Sequence, residues 1–583
     1  MKNQILTLAR NVKKKCLPAK PSITEVRLAE LTASCNHYIK QHNIKPSLKI
    51  LWPTLFNQDH TWWSHDGMLI NALKVRGVDV IPTMCDQLQS QECMIYGGVW
   101  QGATEPGFEE RRKELCNQCL RADLKLWEIL DIKPIRLTSY ITPGEKAKLW
   151  EEVKTLMKGD WQNVIVDGYP VGKEAWKAVV NNNLQGEIKP YWQEVANAQA
   201  EHHIFNILSL KLVYERILNA IAPDRIVGNG GYYYQWGILN ELCQRRDIPY
   251  FRYYYLGLQP MAWNYERNTP ALIHLSPAWS TWAQQPFSKE QVKRVKEDLK
   301  QRSMHIDISD QPEIQSRIER IKSELKLDPN KPVLLALSGI IWDANTNFES
   351  KAFKNMYHWV IETIKWFEQH PEFQLIIRTH PCENIVPSVA PDERTTLIRE
   401  LGLSEIKIPP NVIVIKPEEK YDTYDLVHIS SAAATYMSTT GLEYCCLGKP
   451  LLAIGPSHYT DKGFTFEPTS KENYFALLQQ FMKEPLSGEQ GGKIQELAMR
   501  YWYLYAFHAS IVTGLFETAH TDLTSMKRGM AGFHSHIRAI SVADILPGVN
   551  EKLDYVCDSI MKNLPIFGEN RWPPEIHQDL CRI

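Results

Sequence analysis

Short apolar runs alternating with helix-patterned segments occur in two long series, and this alternation restricts the fold more than any other feature of the chain. The first series holds the strand candidate "LKILWPTL" (Leu48–Leu55), the helix "HDGMLINALKVRG" (His65–Gly77) and the strand "VDVIPTMC" (Val78–Cys85). It continues with a strand near Val164–Asp167, a long helix over Trp192–Ile221, a strand-to-turn segment at Asp224–Gly231, a helix, and the strand "IPYFRYYYL". The second series opens with the strand "KPVLLALSGIIWDA" (Lys331–Ala344), a helix over Ala352–Gln369, the strand Phe373–Pro381 and a helix over Glu393–Leu401. Strands at Asn411–Pro417, "AAATYMS" and "LLAIG" follow with helices between them, and a last helix starts at Ser470. Strand–helix–strand units of this kind build mainly parallel sheets covered on both faces.

A chain of 583 residues is too long for one ordinary core. The pattern predicts an α/β protein of two Rossmann-like doubly wound domains facing a cleft, with a helical connector and C-terminal helices. Residues 1–47 read as a leader, 48–282 as the first domain and 283–330 as the charged connector. Residues 331–487 read as the second domain, and 488–583 as a helical region able to fold back on the first. Basic and acidic residues number 66 and 67, a net charge of -1, so no broad basic surface for nucleic acid is expected.

No stretch reaches the roughly 20 apolar residues of a membrane span. The nearest, Ala498–Phe516, carries Arg500 and His508 and reads as a buried aromatic helix. The basic start, Met1–Lys20, lacks the apolar core of a secretory signal; it reads as a solvated leader or as a transient contact with an anionic membrane surface. The 12 cysteines are too sparse for a disulfide scaffold, which fits a reducing cytoplasm.

The chemistry-bearing residues of the second series gather where strands end. In "MSTTGLEYCCLGKP" (Met437–Pro450), Ser438, Thr439, Thr440 and Gly441 fall at a strand-to-helix turn, with Glu443 one turn in and Lys449 beyond. Unpaired N–H groups and the dipole at such a turn suit a phosphate; the same hydroxyls also serve as ordinary helix caps. "IIRTHPCE" places Arg378, His380, Pro381 and Glu383 after another strand. "SGIIWDANTNFES" adds Asp343 and Asn345, and "GPSHYTDKGFT" adds His458, Tyr459 and Lys462. In an open α/β sheet, ligands bind beyond the carboxyl ends of the strands, so four polar loops there predict a nucleotide site.

The ordered run of "SGIIWDA", "LIIRTHPCE", "PNVIVIKPEEKYDTYDLV" and "YMSTTGLEYCCLGKPLLAIGPSHYTDKGFTFEPTSKENY" resembles the bacterial capsular and surface polysaccharide biosynthesis glycosyltransferases. That group is similar to the transferases that build Kdo (keto-deoxyoctulosonate) linkers. The match covers about Lys331–Leu477; upstream, "RGVDVIPTMCDQLQSQEC" followed by "CNQC" resembles the first domain more loosely. The resemblance implies a GT-B fold, with the donor nucleotide in the C-terminal domain and the acceptor against the N-terminal one. By position it implies that His380 and Pro381 hold the base or phosphate, that Ser438, Thr439 and Thr440 bind phosphate, and that Glu443 binds ribose. A His-Pro followed by a Ser/Thr pair is also similar to bacterial CMP-sugar transferases, so the expected donor is a CMP- or UDP-linked sugar.

Glycosyl transfer builds negative charge on the departing phosphate, and Arg378, Lys449 and Lys462 are the candidate cations for it. The chain contains no Asp-x-Asp, so a metal-independent reaction is expected, with no cofactor. In the first series "FNQDHTWWSHDG" offers Asp59, His60, His65 and Asp66 as candidates for the base an inverting transferase needs, with Trp62 and Trp63 for stacking on a sugar. Capping of the next helix by His65 or Asp66 is the structural alternative. "GNGG" (Gly228–Gly231) reads as a close-packed turn or a weak phosphate cradle. Cys85, Cys93, Cys116 and Cys119 read as buried thiols, a disulfide, or a four-thiolate structural zinc site. The expected partners are a nucleotide-sugar donor and a glycan or lipid-linked acceptor, with the protein cytoplasmic or peripheral at the inner face of the membrane. Alternatives within the fold are a nucleotide-sugar epimerase or a polyol-phosphate transferase; outside it, a non-catalytic glycan-binding component of capsule assembly.

Overall fold

The computed structural model describes residues 21–55, 60–93, 108–229, 233–255, 262–268, 273–309, 311–342, 349–384, 396–518 and 535–566. In the first half, β1 (Leu48–Pro53), β2 (Val78–Met84), β3 (Ile135–Arg136), β4 (Arg225–Asn229) and β5 (Tyr250–Tyr254) run parallel, and β6 (Asn264–Arg267) closes one edge antiparallel to β5. In the second half, β7 (Val333–Leu337), β8 (Gln374–Arg378), β9 (Val412–Ile415), β10 (Ala432–Thr435) and β11 (Leu451–Ala453) are all parallel. β12 (Phe516–Thr518) and β13 (Ser535–Ile537) form a separate antiparallel pair.

The strand orders are β3-β2-β1-β4-β5-β6 and β11-β10-β7-β8-β9. Each sheet grows outward on one side, then returns to the other side of its first strand. The reversal lies between β1 and β4 in one sheet and between β7 and β10 in the other, and it leaves a crevice at the carboxyl ends. These are two Rossmann-like doubly wound domains in one chain, the GT-B arrangement. β7 and β8 are buried at all five positions, as expected of parallel strands covered on both faces. That is why they stand out in the sequence as unbroken apolar runs.

The halves share a core. One hydrophobic cluster includes Trp263 and Trp279 of the first half, Leu442 and Phe464 of the second, and Tyr501 and Trp502 of the Gly488–Tyr503 helix. Between the halves, helices Lys289–Gln301 and Pro312–Glu324 pack by apolar inner faces, and Arg317 forms two 2.7 Å bonds to Asp425. Beyond residue 488 the chain returns to the first half: Ile511 exchanges backbone bonds with Trp263 at 2.9 and 2.8 Å, and Arg76 pairs with Asp554. The aromatic stretch is a buried helix ending in a wide turn at Leu504–His508. Among the described residues, no helix is long and apolar enough to cross a membrane.

Three expectations about elements need correction. Val164–Asp167 is not a sheet strand: Asp167 (φ 49°) and Gly168 (φ 76°) are both left-handed, and Val166 and Tyr169 exchange bonds across them at 3.0 and 2.9 Å. This Asp-Gly pair makes an isolated two-residue hairpin turn. The third strand is instead the two-residue β3, too short for an apolar run to reveal. β6 and the β12–β13 pair were also unread, so the C-terminal region is not purely helical.

Buried imidazoles make the fold acid-sensitive. His203 is fully buried and His508 is 3 % exposed; burial pushes both down to about 3. The unfolded chain takes up these protons near 6.5 while the folded chain resists, so the stability is complete above pH 6.5 and drains as pH falls toward 3. Each histidine contributes a slope of about 1.4 kcal/mol per pH unit in that window. Urea midpoints measured at pH 7, 5.5 and 4.5 should fall steeply, and His203→Gln should lower the slope by about 1.4 kcal/mol per pH unit; an unchanged slope would refute the assignment.

Candidate functional site

The carboxyl rim of the second sheet faces the first half. After β7, Asn181 Nδ2 bonds the Trp342 carbonyl, and a Cβ on Gly186 would come within 2.7 Å of Ile341. After β11, Lys462 Nζ donates to Ser276 Oγ at 3.0 Å. The strand-end residues therefore sit at a seam between the halves, as a ligand crevice requires.

Arg378 ends β8 and is only 5 % exposed. Its carbonyl accepts from both Ser338 N–H and Ser338 Oγ at 3.2 Å, which ties it to the start of the loop after β7. Among the described residues its guanidinium makes one hydrogen bond, Nη1 to the Lys416 carbonyl at 2.8 Å, and Nε has no partner. Burial pulls its pKa downward against the opposing charges of Glu419 and Asp422. A buried guanidinium ordinarily has a carboxylate, because the charge is costly to desolvate alone. Among the described residues Arg378 forms no ion pair.

The neighbouring candidates divide into rim and interior. His380 is half-buried and Pro381 exposed, opening the turn Pro381–Asn384. Thr439 is exposed, and Ser438 and Thr440 are half-buried. The capping alternative is realised, since Ser438 Oγ accepts from Thr440 N–H at 3.3 Å, and the Gly441 N–H reaches the Ser438 carbonyl at 3.0 Å. The amides at this seven-residue helix are thus largely spent, and only the hydroxyls remain for a ligand. Gly441 is buried, and a Cβ there would lie 2.4 Å from the Tyr459 hydroxyl; its smallness serves packing rather than approach of a phosphate.

Several assigned residues turn inward. Glu443 is 2 % exposed, accepts from the Tyr424 hydroxyl at 3.1 Å, and has its pKa raised by burial despite the Arg302 charge; it points toward the connector, not toward a ribose. Lys449 donates to three carbonyls, those of Val427, His428 and Ser430, at 3.0, 3.1 and 2.7 Å, and burial pushes it down to about 8. Lys462 is spent on Ser276 and the Thr460 carbonyl. Glu383 is fully buried and accepts from Leu397 N–H at 3.2 Å, satisfying the start of the next helix. Tyr459 donates to the Ser438 carbonyl at 2.6 Å. His458 bonds Tyr501, a partner that sequence reading missed; Tyr501 and Tyr505, one helical turn apart in the aromatic stretch, were the available signal. Asp343 and Asn345 lie outside the described residues.

On the acceptor side, His65 is fully buried between Trp263 and Tyr253, with ring centroids 3.9 and 4.3 Å away. Its nitrogens engage Asp66 at 3.1 Å and the Tyr265 hydroxyl at 2.8 Å. Burial lowers its pKa, so the ring is neutral: Nδ1–H donates to Asp66 and Nε2 accepts from Tyr265. This pair is a core strut and is withdrawn as the catalytic base. Trp62 packs edge-on to Trp263 at 5.0 Å, and Trp63 is buried. Asp59 lies outside the described residues, as do Gly230 and Gly231; His60 begins the His60–Lys74 helix.

Cys85, Cys93, Cys116 and Cys119 do converge, lining a cavity of about 20 Å³ with Gln89 and Asp123. All four are free thiols, and burial pushes Cys85 up to about 11. Among the described residues, no three thiol, imidazole or carboxylate groups come together closely enough to hold a metal ion.

No family model matches the chain, and no curated protein matches it. Solved structures similar to it include the UDP-GlcNAc 2-epimerase of Neisseria meningitidis bound to UDP-GlcNAc, at 12% identity and a TM-score of 0.24, over 77% of this chain and 94% of that one. They also include KpsC of Thermosulfurimonas dismutans, a β-Kdo 2,7 transferase, at 15% identity and a TM-score of 0.26, over 49% of this chain and 78% of that one. The wall teichoic acid polymerase TagF is a third, at 14% identity and a TM-score of 0.21, over 45% and 50%. Likenesses this slight say nothing of activity. Kdo transferases, named by the sequence resemblance, are among these neighbours.

Proposed function

We propose that the protein is a glycosyltransferase that moves a sugar from a CMP- or UDP-linked donor onto a surface polysaccharide or lipid-linked acceptor, independently of a metal. Arg378 carries this reading. A charge held out of water beside one carbonyl is a standing cost that a bound phosphate removes by a charge-assisted pair. Its position at the carboxyl end of β8, tied to the loop after β7, puts it on the rim of the sheet where ligands dock in such folds.

As the bond between the sugar and its phosphate breaks, the electron pair leaves with the phosphate. A preorganised donor at that oxygen contributes about 3 kcal/mol. Arg378 supplies it, aided by His380 and by the hydroxyls of Ser438, Thr439 and Thr440. The acceptor binds against the first half, and Asp59 or His60 takes the proton of its attacking hydroxyl. The reaction belongs in the cytoplasm, or at the inner membrane face where the acceptor is lipid-linked.

Incubation with CMP-, UDP- and GDP-sugars, with and without a glycan acceptor, should release free nucleotide that depends on the acceptor. An epimerised sugar still attached to its nucleotide would overturn transfer in favour of isomerisation. Arg378→Gln should weaken nucleotide binding roughly tenfold to a hundredfold while leaving the ligand-free protein as stable or more so, because it removes an uncompensated buried charge. Loss of stability with intact nucleotide affinity would make Arg378 structural. Lys449→Met should do the opposite, costing about 2–3 kcal/mol in urea denaturation because three carbonyls lose their donor. Its nucleotide affinity should not change.

A further inference from the structure

His458 is held in a way that phosphate binding does not require. It follows β11 on the turn that carries Tyr459, whose hydroxyl reaches the Ser438 carbonyl, so the imidazole stands beside the start of the Thr439–Cys445 helix. Its Nδ1 lies 3.0 Å from the Tyr501 hydroxyl, and that same hydroxyl lies 2.7 Å from the His458 carbonyl oxygen. A phenol has one proton. Two oxygens this close need it between them, so the hydroxyl donates to the carbonyl and accepts from Nδ1–H. The tautomer is thereby fixed, and Nε2 presents a lone pair.

Among the described residues Nε2 has no hydrogen-bond partner, and His458 is half-buried. The rings of Tyr505, Tyr459 and Tyr501 lie 4.2, 5.2 and 5.7 Å from it. Tyr501 in turn packs edge-on to Trp279 of the first half at 5.3 Å, so the imidazole sits at the seam where both halves meet a ligand. Burial, helped by the Lys462 charge, pushes the imidazole down to about 3. A base works best with a pKa near the working pH, so this ring is a poor proton acceptor at neutrality. It remains a good hydrogen-bond acceptor, fixed in direction and neutral. A site with that chemistry reads a hydroxyl.

We propose that His458 is a specificity-determining residue whose Nε2 accepts a hydrogen bond from a hydroxyl of the sugar carried by the nucleotide, an assignment that rests on the donor-site reading above. The nucleotide itself is not its ligand, and no proton is transferred to it.

The test is calorimetric titration of the full chain with CMP, UDP, UDP-N-acetylglucosamine and CMP-N-acetylneuraminate. His458→Asn keeps an amide N–H at the Nδ1 position for Tyr501 and leaves nothing at Nε2; His458→Gln places an amide oxygen near Nε2. For a sugar nucleotide that the wild type binds, Asn should weaken affinity about tenfold and Gln by less than roughly threefold, and neither should change affinity for the bare nucleotide. Unchanged sugar-nucleotide affinity in the Asn variant overturns the proposal and leaves the donor site standing. Equal weakening of bare and sugar-bearing nucleotides also overturns it, by moving His458 to the nucleotide. If the wild type binds none of the four ligands, both readings fall. Should the Asn variant fail to fold, histidine-selective 15N NMR of the wild type decides: the His458 Nε2 signal should move on adding the sugar nucleotide but not the bare one, and a stationary signal overturns the proposal.

Discussion

Arg378 brings a positive charge to a place where water is almost absent, with the Lys416 carbonyl as its single partner among the described residues. It cannot turn away. β8 is paired on both sides, and Ser338 holds the Arg378 carbonyl with two bonds, so the backbone that aims the side chain is fixed by the sheet. Isolated buried charge is among the most expensive features a fold can carry. On the proposed reading a phosphate bound at the carboxyl rim supplies the missing partner.

The other cations of the rim have a different fate, which narrows how the site works. Lys449 and Lys462 spend their protons on carbonyls and on Ser276, and so act as struts between loops. The second half therefore does not meet an anion with a cluster of mobile lysines. On the proposed reading one guanidinium, a half-buried histidine and three hydroxyls do that work. Preorganised donors are worth more than flexible ones because they need no reorganisation as charge develops. The arrangement favours geometry over net charge, in keeping with a chain whose charges nearly cancel.

How much of this was legible in the sequence follows from what a strand imposes. Parallel strands buried on both faces must be apolar without interruption, so β7, β8 and β10 could be read directly, and with them the residues that follow each strand. The destination of a side chain could not be read. Lys449 follows one helix, yet the carbonyls at the end of the preceding helix, Thr423–Ile429, and of Ser430 collect it; Glu443 lies one turn into its helix, and Tyr424 of that preceding helix claims it. Both facts depend on the neighbours of the helix, not on the segment itself. His65 was a candidate base because it follows a strand, yet Tyr253 of β5, Tyr265 of β6 and Trp263 just before β6 enclose it. The Asp167-Gly168 turn was visible as a dipeptide, but the apolar residues before it suggested a longer strand.

The two contacts between the halves differ in character, and the difference bears on how a ligand enters. On one side lies a continuous apolar core through Trp279, Phe464 and Tyr501, together with the backbone exchange between Trp263 and Ile511. Separating those surfaces would expose several large aromatic side chains at about 1.5–3 kcal/mol each. On the other side, among the described residues, the stretch 173–191 reaches across: Lys173 pairs with Glu349 at 2.8 Å, Leu184 enters the second core, Lys189 meets Glu400 at 3.2 Å, and Arg399 lies over Tyr191. One buried leucine and an ion pair or two amount to a few kcal/mol, since partly exposed pairs contribute little. On the proposed reading, the binding energy of a nucleotide is large enough to make or break the second contact and too small to disturb the first. The aromatic side is thus the fixed edge of the crevice, His458 stands on it, and the 173–191 stretch is the edge that can yield.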